Sequence, residues 1–258
     1  MMCNFDRKRM MRGAAVFSSF IGVFIGNHGS TSRATLCFAQ PNVGKAAHEH
    51  PTIKLTYFDF EGRAEKVRLA LVLSGVVFED NRLPLSTWSQ AKETITLSKV
   101  PVMTIDGIEV TQSSAMLRYI GSLSPCPLYP EDPWSRLRVD EILGIADDID
   151  AELVPTWKVL LKPAEVGHED VSLERRKILY NTLMKNMLEP DCQLTRYLHF
   201  LDDRLAEVGS GFFVGSSPTI ADCAVLVHLR QFKHGRPFLP GEFPSTMLSG
   251  MPNLLKFY

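Results

Sequence analysis

Cysteine is scarce in this 258-residue chain, with only Cys3, Cys37, Cys126, Cys192 and Cys223 and no CxxC pair among them. That excludes a disulfide-built scaffold, and no His/Cys spacing matches a structural zinc site. An excess of charge of one sign is also missing: 28 Lys and Arg stand against 29 Asp and Glu, a net charge of −1. Nucleic acid is therefore not an expected partner, because phosphate binding leaves a basic excess. No apolar run reaches the roughly 20 residues of a membrane-spanning helix, so no stable span is expected in the mature protein. Asn-x-Ser/Thr sequons are absent, which argues against passage of the mature chain through a glycosylating pathway. Glycine (17) and proline (16) are at ordinary levels, excluding collagen-like and low-complexity chains. Hydrophobic residues make up 45%. That suffices for a sizeable core, and the length suits one large domain or two ordinary ones.

The first fifty residues read differently from the rest. Asp6 is the one acid before Glu49, against Arg7, Lys8, Arg9, Arg12, Arg33 and Lys45. Behind the basic cluster, Ala14 to Gly26 form an apolar run of 13 residues. A basic segment followed by a short apolar one matches a signal peptide or signal anchor. The basic, hydroxyl-rich stretch that follows suits an organellar transit peptide. Three readings stand open for residues 1–50: a secretory or bipartite leader, a mitochondrial presequence, or a start codon set too far upstream. The destination is an organelle or the secretory route on the first two, and the cytoplasm on the third.

From Ile53 the pattern turns regular. Ile53, Leu55 and Tyr57 alternate as in a strand. Val67, Ala70, Leu71 and Ser74 follow at helical spacing and end at Gly75. Val76 to Glu79 reads as a short apolar strand, and the polar stretch around Trp88 and Lys92 as a short helix. Val102–Ile105 and Ile108–Val110 flank Asp106-Gly107, a strong hairpin signal. Ser113 or Ser114 is then placed to cap a helix carrying Met116, Leu117 and Ile120. A βαβ unit followed by ββα is the arrangement of a thioredoxin-like domain, here residues 51–126. Prolines at 125, 127, 130 and 133 mark a stiff linker, residues 127–133. Residues 134–258 read as all helical. Val139, Ile142, Leu143, Ala146, Ile149 and Leu153 form one apolar stripe. Leu173–Leu188 and Cys192–Val208 give two more helices. Thr219, three residues before Asp222, opens a helix apolar on all sides, with a folding rather than a chemical role.

The segment KLTYFDFEGRAEKVRLAL resembles the opening of the cytosolic glutathione transferases of the tyrosine type, most of all the sigma class with its haematopoietic prostaglandin D synthases. Trp88 and Lys92, then Lys99-Val100-Pro101, then QSSAMLRYI from Gln112 continue the resemblance. VDEILGIADDID and GSSPTIADCAV extend it into the helical half. It implies a homodimeric enzyme that joins the thiol of glutathione to small hydrophobic electrophiles, a detoxification chemistry.

The residues fit that chemistry. The thiolate of glutathione is the nucleophile, and its thiol is mostly protonated near neutral pH. A hydroxyl that donates a hydrogen bond to sulfur lowers its pKa. The resemblance makes Tyr57 that hydroxyl and Arg63 its electrostatic support. Gln112 and Ser113, where a strand gives way to a helix, suit the γ-glutamyl carboxylate. Val100, before Pro101 (which resembles the family's cis-proline), would pair with the cysteinyl unit through its backbone. Trp88 and Lys92, one helical turn apart, suit the glycyl carboxylate, and the resemblance also places Lys99 among the glutathione-binding residues. By resemblance, Asp148 reaches the γ-glutamyl amine across the dimer interface. Some sigma-type relatives hold a divalent ion there between three acids, but Gly144 stands where the first acid would be, so no metal is expected. Glutathione is expected as co-substrate, with no further cofactor.

Two features depart from the family pattern. Glu61 is an acid near the thiolate, expected to blunt its activation. The chain also stops at PNLLKFY, inside what resembles the domain's last helix, so a shortened end is expected. Two alternatives accompany the transferase reading: a glutathione-dependent isomerase of the prostaglandin D synthase type, and a non-catalytic relative like the lens S-crystallins.

Overall fold

The computed structural model describes residues 51–123, 128–234 and 248–258. The expected leader and the start of the proline-rich linker lie outside the described residues.

Strand β1 (Ile53–Phe58) alternates buried and half-buried residues, with Ile53, Leu55 and Tyr57 inward as expected. Helix α1 (Glu65–Leu73) has no polar face: every residue from Glu65 to Leu71 is buried. Its three charged side chains must therefore find partners inside the protein. Strand β2 (Phe78–Leu83) runs parallel to β1, with Ile53 opposite Phe78. It starts two residues later than the apolar stretch at Val76–Glu79 suggests and continues through polar sequence. The sheet order β2-β1-β3-β4 explains the difference, because β2 is an edge strand and needs no continuous apolar run. Its polar side chains are used instead: Asp80 accepts from Arg68 and Arg82.

A short helix α2 (Trp88–Ala91), flanked by 3-10 turns, leads to the hairpin of β3 (Val102–Ile105) and β4 (Ile108–Val110). Asp106 and Gly107 both take positive φ, +47° and +86°. That is the conformation a two-residue hairpin turn matched to strand twist requires. Helix α3 (Ser113–Leu123) completes the α/β half.

The helical half starts at α4 (Pro133–Leu161), with Asp132 as N-cap accepting from the Ser135 amide and Pro133 in the first turn. All six residues of the predicted stripe on α4 are buried. Helices α5 (Leu173–Met187), α6 (Gln193–Val208), α7 (Ile220–His234) and α8 (Pro252–Phe257) follow. Residues Ile220 to Leu229 of α7 are buried without exception, so this helix is central to its half. Asp222 accepts from the amides of Phe213 and Thr219 and from the Thr219 hydroxyl at 2.7–3.0 Å, so it ties back to Thr219 as the predicted capping-like pair. The described end of the linker is packed rather than free: Leu128 and Tyr129 are buried, and the Leu128 carbonyl accepts from the Ile220 amide. One apolar core runs from the sheet through α4 to α7, so the two halves are joined as a single packed body. Among the described residues no helix is long and apolar enough to cross a membrane, and no group of acids, histidines and cysteines is placed to hold a metal ion.

Candidate active site

Tyr57 stands near the end of β1, 7% exposed, with its hydroxyl at the turn that opens α1. The Arg63 amide donates to that hydroxyl at 3.3 Å. Burial pushes the phenol above its ordinary pKa; the Arg63 hydrogen bond and nearby positive charge offset this only in part. The group therefore stays protonated across the physiological range. Its oxygen already accepts, and its proton meets no acceptor among the described residues. Gly62 makes room for it. A Cβ there would lie 2.7 Å from the Tyr57 hydroxyl, and Gly62 takes φ +148°, a region other residues rarely adopt.

The Arg63 guanidinium turns to Asp150 on α4, with Nε 3.3 Å from the carboxylate. Arg63 thus meets Tyr57 through its backbone, and its charge acts from one step away. Beneath the Tyr57 ring lies the buried guanidinium of Arg68, 5.8 Å from the centroid. It donates to the carbonyls of Phe58 and Phe60 and pairs with Glu65 and Asp80, which fixes the strand-to-helix turn.

The other candidate residues flank this centre. Trp88, half-buried, packs edge-on against Phe58 at 5.2 Å. Lys92 and Lys99 are exposed. The Val100–Pro101 peptide bond is cis. Gln112 holds a left-handed φ of +73°, and its carbonyl accepts from the amides of Ala115 and Met116 in the first turn of α3. Ser113 is the first residue of that helix. The Ser114 hydroxyl does not cap it; it donates across to Asp147 at 2.8 Å. Asp148 is exposed on α4 and pairs with no cation among the described residues.

Three charge pairs that the linear pattern did not reveal tie this region to the helical half. Glu61 is held by Arg230 of α7 at 2.5 Å. Its charge is therefore compensated by a cation of the helical half. Arg63 pairs with Asp150, which also has the buried His228 3.9 Å away. Lys66, 4% exposed, pairs with Asp147 at 2.8 Å. The Asp147 carboxyl feels some desolvation, yet Lys66 and the Ser114 hydroxyl hold it below its ordinary value. One signal in the sequence points to such partners. The run Glu65-Lys66-Val67-Arg68 puts charges on consecutive faces of a helix that packs on all of them.

Comparison with known proteins agrees with this architecture. The glutathione S-transferase N-terminal domain family matches residues 53–122, and the corresponding C-terminal domain family matches residues 193–258. Glutathione S-transferase 1 of Ascaris suum is 33% identical over 193 residues, covering 74% of this chain and 86% of that protein. Hematopoietic prostaglandin D synthase of Gallus gallus is 31% identical over 172 residues, covering 67% and 75%. The structure of the glutathione S-transferase from Ascaris lumbricoides aligns with a TM-score of 0.60 at 31% identity, over 80% of this chain and 89% of that one. Prostaglandin synthase D of Nilaparvata lugens aligns with a TM-score of 0.62 over 80% and 90%, and at 24% identity it shows a common fold alone. With both domains matched in order, and one residue in three shared across most of a relative's length, the chain belongs to the glutathione S-transferase family of enzymes.

Proposed function

We propose that this transferase conjugates glutathione to small hydrophobic electrophiles, with the Tyr57 hydroxyl stabilising the thiolate. The observation that carries the reading is the state of that hydroxyl: its oxygen accepts from the Arg63 amide, leaving its proton to donate. A donor of this kind favours the charged form of sulfur. Arg63 supports the same charge through its amide and, from the Asp150 pair, its field. The γ-glutamyl carboxylate is assigned to Gln112 and Ser113 at the start of α3, where helix amides favour an anion. The cysteinyl backbone is assigned to Val100 beside Pro101, and the glycyl carboxylate to Trp88, Lys92 and Lys99. Asp148 completes the site from the second subunit of a homodimer. The bound thiol gives up its proton to solvent, the sulfur bonds to the electrophilic carbon, and the leaving group departs with the bonding pair. Glutathione is the co-substrate, and this scheme asks for no other cofactor or metal.

The similarity to hematopoietic prostaglandin D synthases supports a sigma-like placement and a second reading, glutathione-dependent isomerisation. One experiment separates the readings. The protein is applied to immobilised glutathione, then assayed with a chloronitrobenzene electrophile and with a prostaglandin endoperoxide. Retention with conjugation is the expected result. Isomerisation without conjugation favours the second reading, and failure to bind glutathione overturns both.

A further inference from the structure

Among the described residues, the most buried cation between the two halves is Lys66, 4% exposed and nine residues after Tyr57. Lys66 projects from α1, and its ammonium contacts Asp147 Oδ1 of α4 at 2.8 Å and the Ser114 hydroxyl of α3 at 3.4 Å. Ser114 in turn donates to the other Asp147 oxygen at 2.8 Å. Three helices from both halves thus close on one group of charges. The Ser114 carbonyl is held as well, by Arg118 at 3.1 Å, and Arg118 is itself paired with Asp140 of α4. The first turn of α3 is therefore fixed through both its side chain and its backbone.

That turn is where Gln112 takes its left-handed backbone. A non-glycine residue is strained there, and it persists only where its surroundings over-determine it. The turn also presents the amides of Ser113 and Ser114, which meet no acceptor among the described residues. The first amides of a helix lack intrahelical partners, and they suit a carboxylate.

We infer that Lys66 is a positioning residue for this anion-binding turn: it fixes the Ser113 and Ser114 amides against the helical half and cancels the Asp147 charge beside them. The inference rests on the assignment of glutathione to this site. It goes further in giving a role in glutathione affinity to two residues, Lys66 and Asp147, that need not touch glutathione. It also makes an asymmetric prediction that a purely structural bridge would not. Without Lys66, the Asp147 carboxylate is left uncompensated next to the turn and repels the incoming γ-glutamyl carboxylate. Without the Asp147 charge, the Lys66 ammonium is left to attract it.

The test is titration of reduced glutathione into the unaltered protein and its variants by calorimetry, with kcat and KM measured alongside and thermal melting as a control for folding. Lys66→Met is expected to weaken glutathione binding about tenfold, the order of one uncompensated charge beside an anion site near the surface. The loss appears in KM for glutathione, with kcat at saturation within about threefold. Asp147→Asn, which keeps an oxygen for Lys66, is expected to tighten binding about threefold, and the double variant to return close to the unaltered value. Should Lys66→Met fail to fold, Asp147→Asn decides alone: unchanged or weaker binding overturns the inference. Equal losses in both single variants overturn it too, leaving only a structural bridge. Absence of glutathione binding in the unaltered chain overturns the transferase reading, and this inference with it.

Discussion

Replacing Tyr57 by Phe removes one oxygen and leaves the ring packing against Phe58 and Phe60 in place. The protein loses one hydrogen bond, accepted from the Arg63 amide at 3.3 Å. A long, part-buried bond of that kind costs about 1 kcal/mol or less of stability. The chemical cost is larger. A hydrogen bond to an ionised partner is worth about 1.5–3 kcal/mol, so the thiol pKa of bound glutathione rises by about one to two units. Well below that pKa, thiolate and rate both fall about 10- to 100-fold. As pH rises the thiol ionises without help and the deficit shrinks. The phenol itself does not confuse the comparison, because burial raises its pKa and it remains a donor throughout. The assay is conjugation at saturating glutathione from about pH 6 to 9, with glutathione affinity measured separately and expected within about threefold. A rate deficit of the same size at every pH would refute the reasoning, as would weaker binding with unchanged turnover per bound complex.

Two further predictions concern the scaffold around this site. Gly62→Ala puts a methyl 2.7 Å from the Tyr57 hydroxyl at φ +148°; kcat/KM is expected to fall about tenfold through displacement of that hydroxyl, with melting lowered by a few degrees. Full activity would show that the hydroxyl is not position-critical. Asp222 is buried, and burial outweighs its hydrogen bonds and raises its carboxyl from 3.8 to about 6. Because the folded value is above the unfolded one, the stabilisation from the protonated form is complete below about pH 3.8 and lost as pH rises through about 6. Asp222→Asn has no such titration. The difference in urea stability between the two proteins should therefore change by about 2–3 kcal/mol between pH 4 and 6. A constant difference would show that Asp222 is ionised throughout.

The elements that could be read from the linear sequence are those set by neighbours a few residues apart. Asp106-Gly107 announces its hairpin because positive φ is a local demand, and the six-residue stripe on α4 because its period is helical. Thr219 and Asp222 are three residues apart and form their own capping-like pair. Strand β2 was misplaced for the complementary reason: an edge strand need not be apolar, so Phe78–Leu83 carries a weak signal beside the apolar Val76 and Val77. At the candidate site, Tyr57 and the turn at Gln112 and Ser113 are proposed through resemblance rather than spacing. Their supports were not legible in the sequence. Lys66 meets Asp147 81 residues away, and Glu61 meets Arg230 169 residues away. No period or spacing marks such pairs, and a salt-bridged lysine reads like a surface one. Ser114 looked like a helix cap because serine favours that place, but a carboxylate from another helix is the stronger acceptor.

Glu61, Arg63 and Lys66 carry the charge order minus, plus, plus, and the helical half answers from Arg230, Asp150 and Asp147 with plus, minus, minus. The consequence is a limit on recombination between paralogues. A hybrid joining this α/β half to the helical half of another family member brings together two cores of the usual shape, and it can fold. The loop between Tyr57 and α1 keeps its three cross-half ion pairs only if the incoming half supplies the same three signs in the same order. These side chains therefore form a code that the two halves of the gene must inherit together, and exchanging one half without it leaves unpaired charges between the halves.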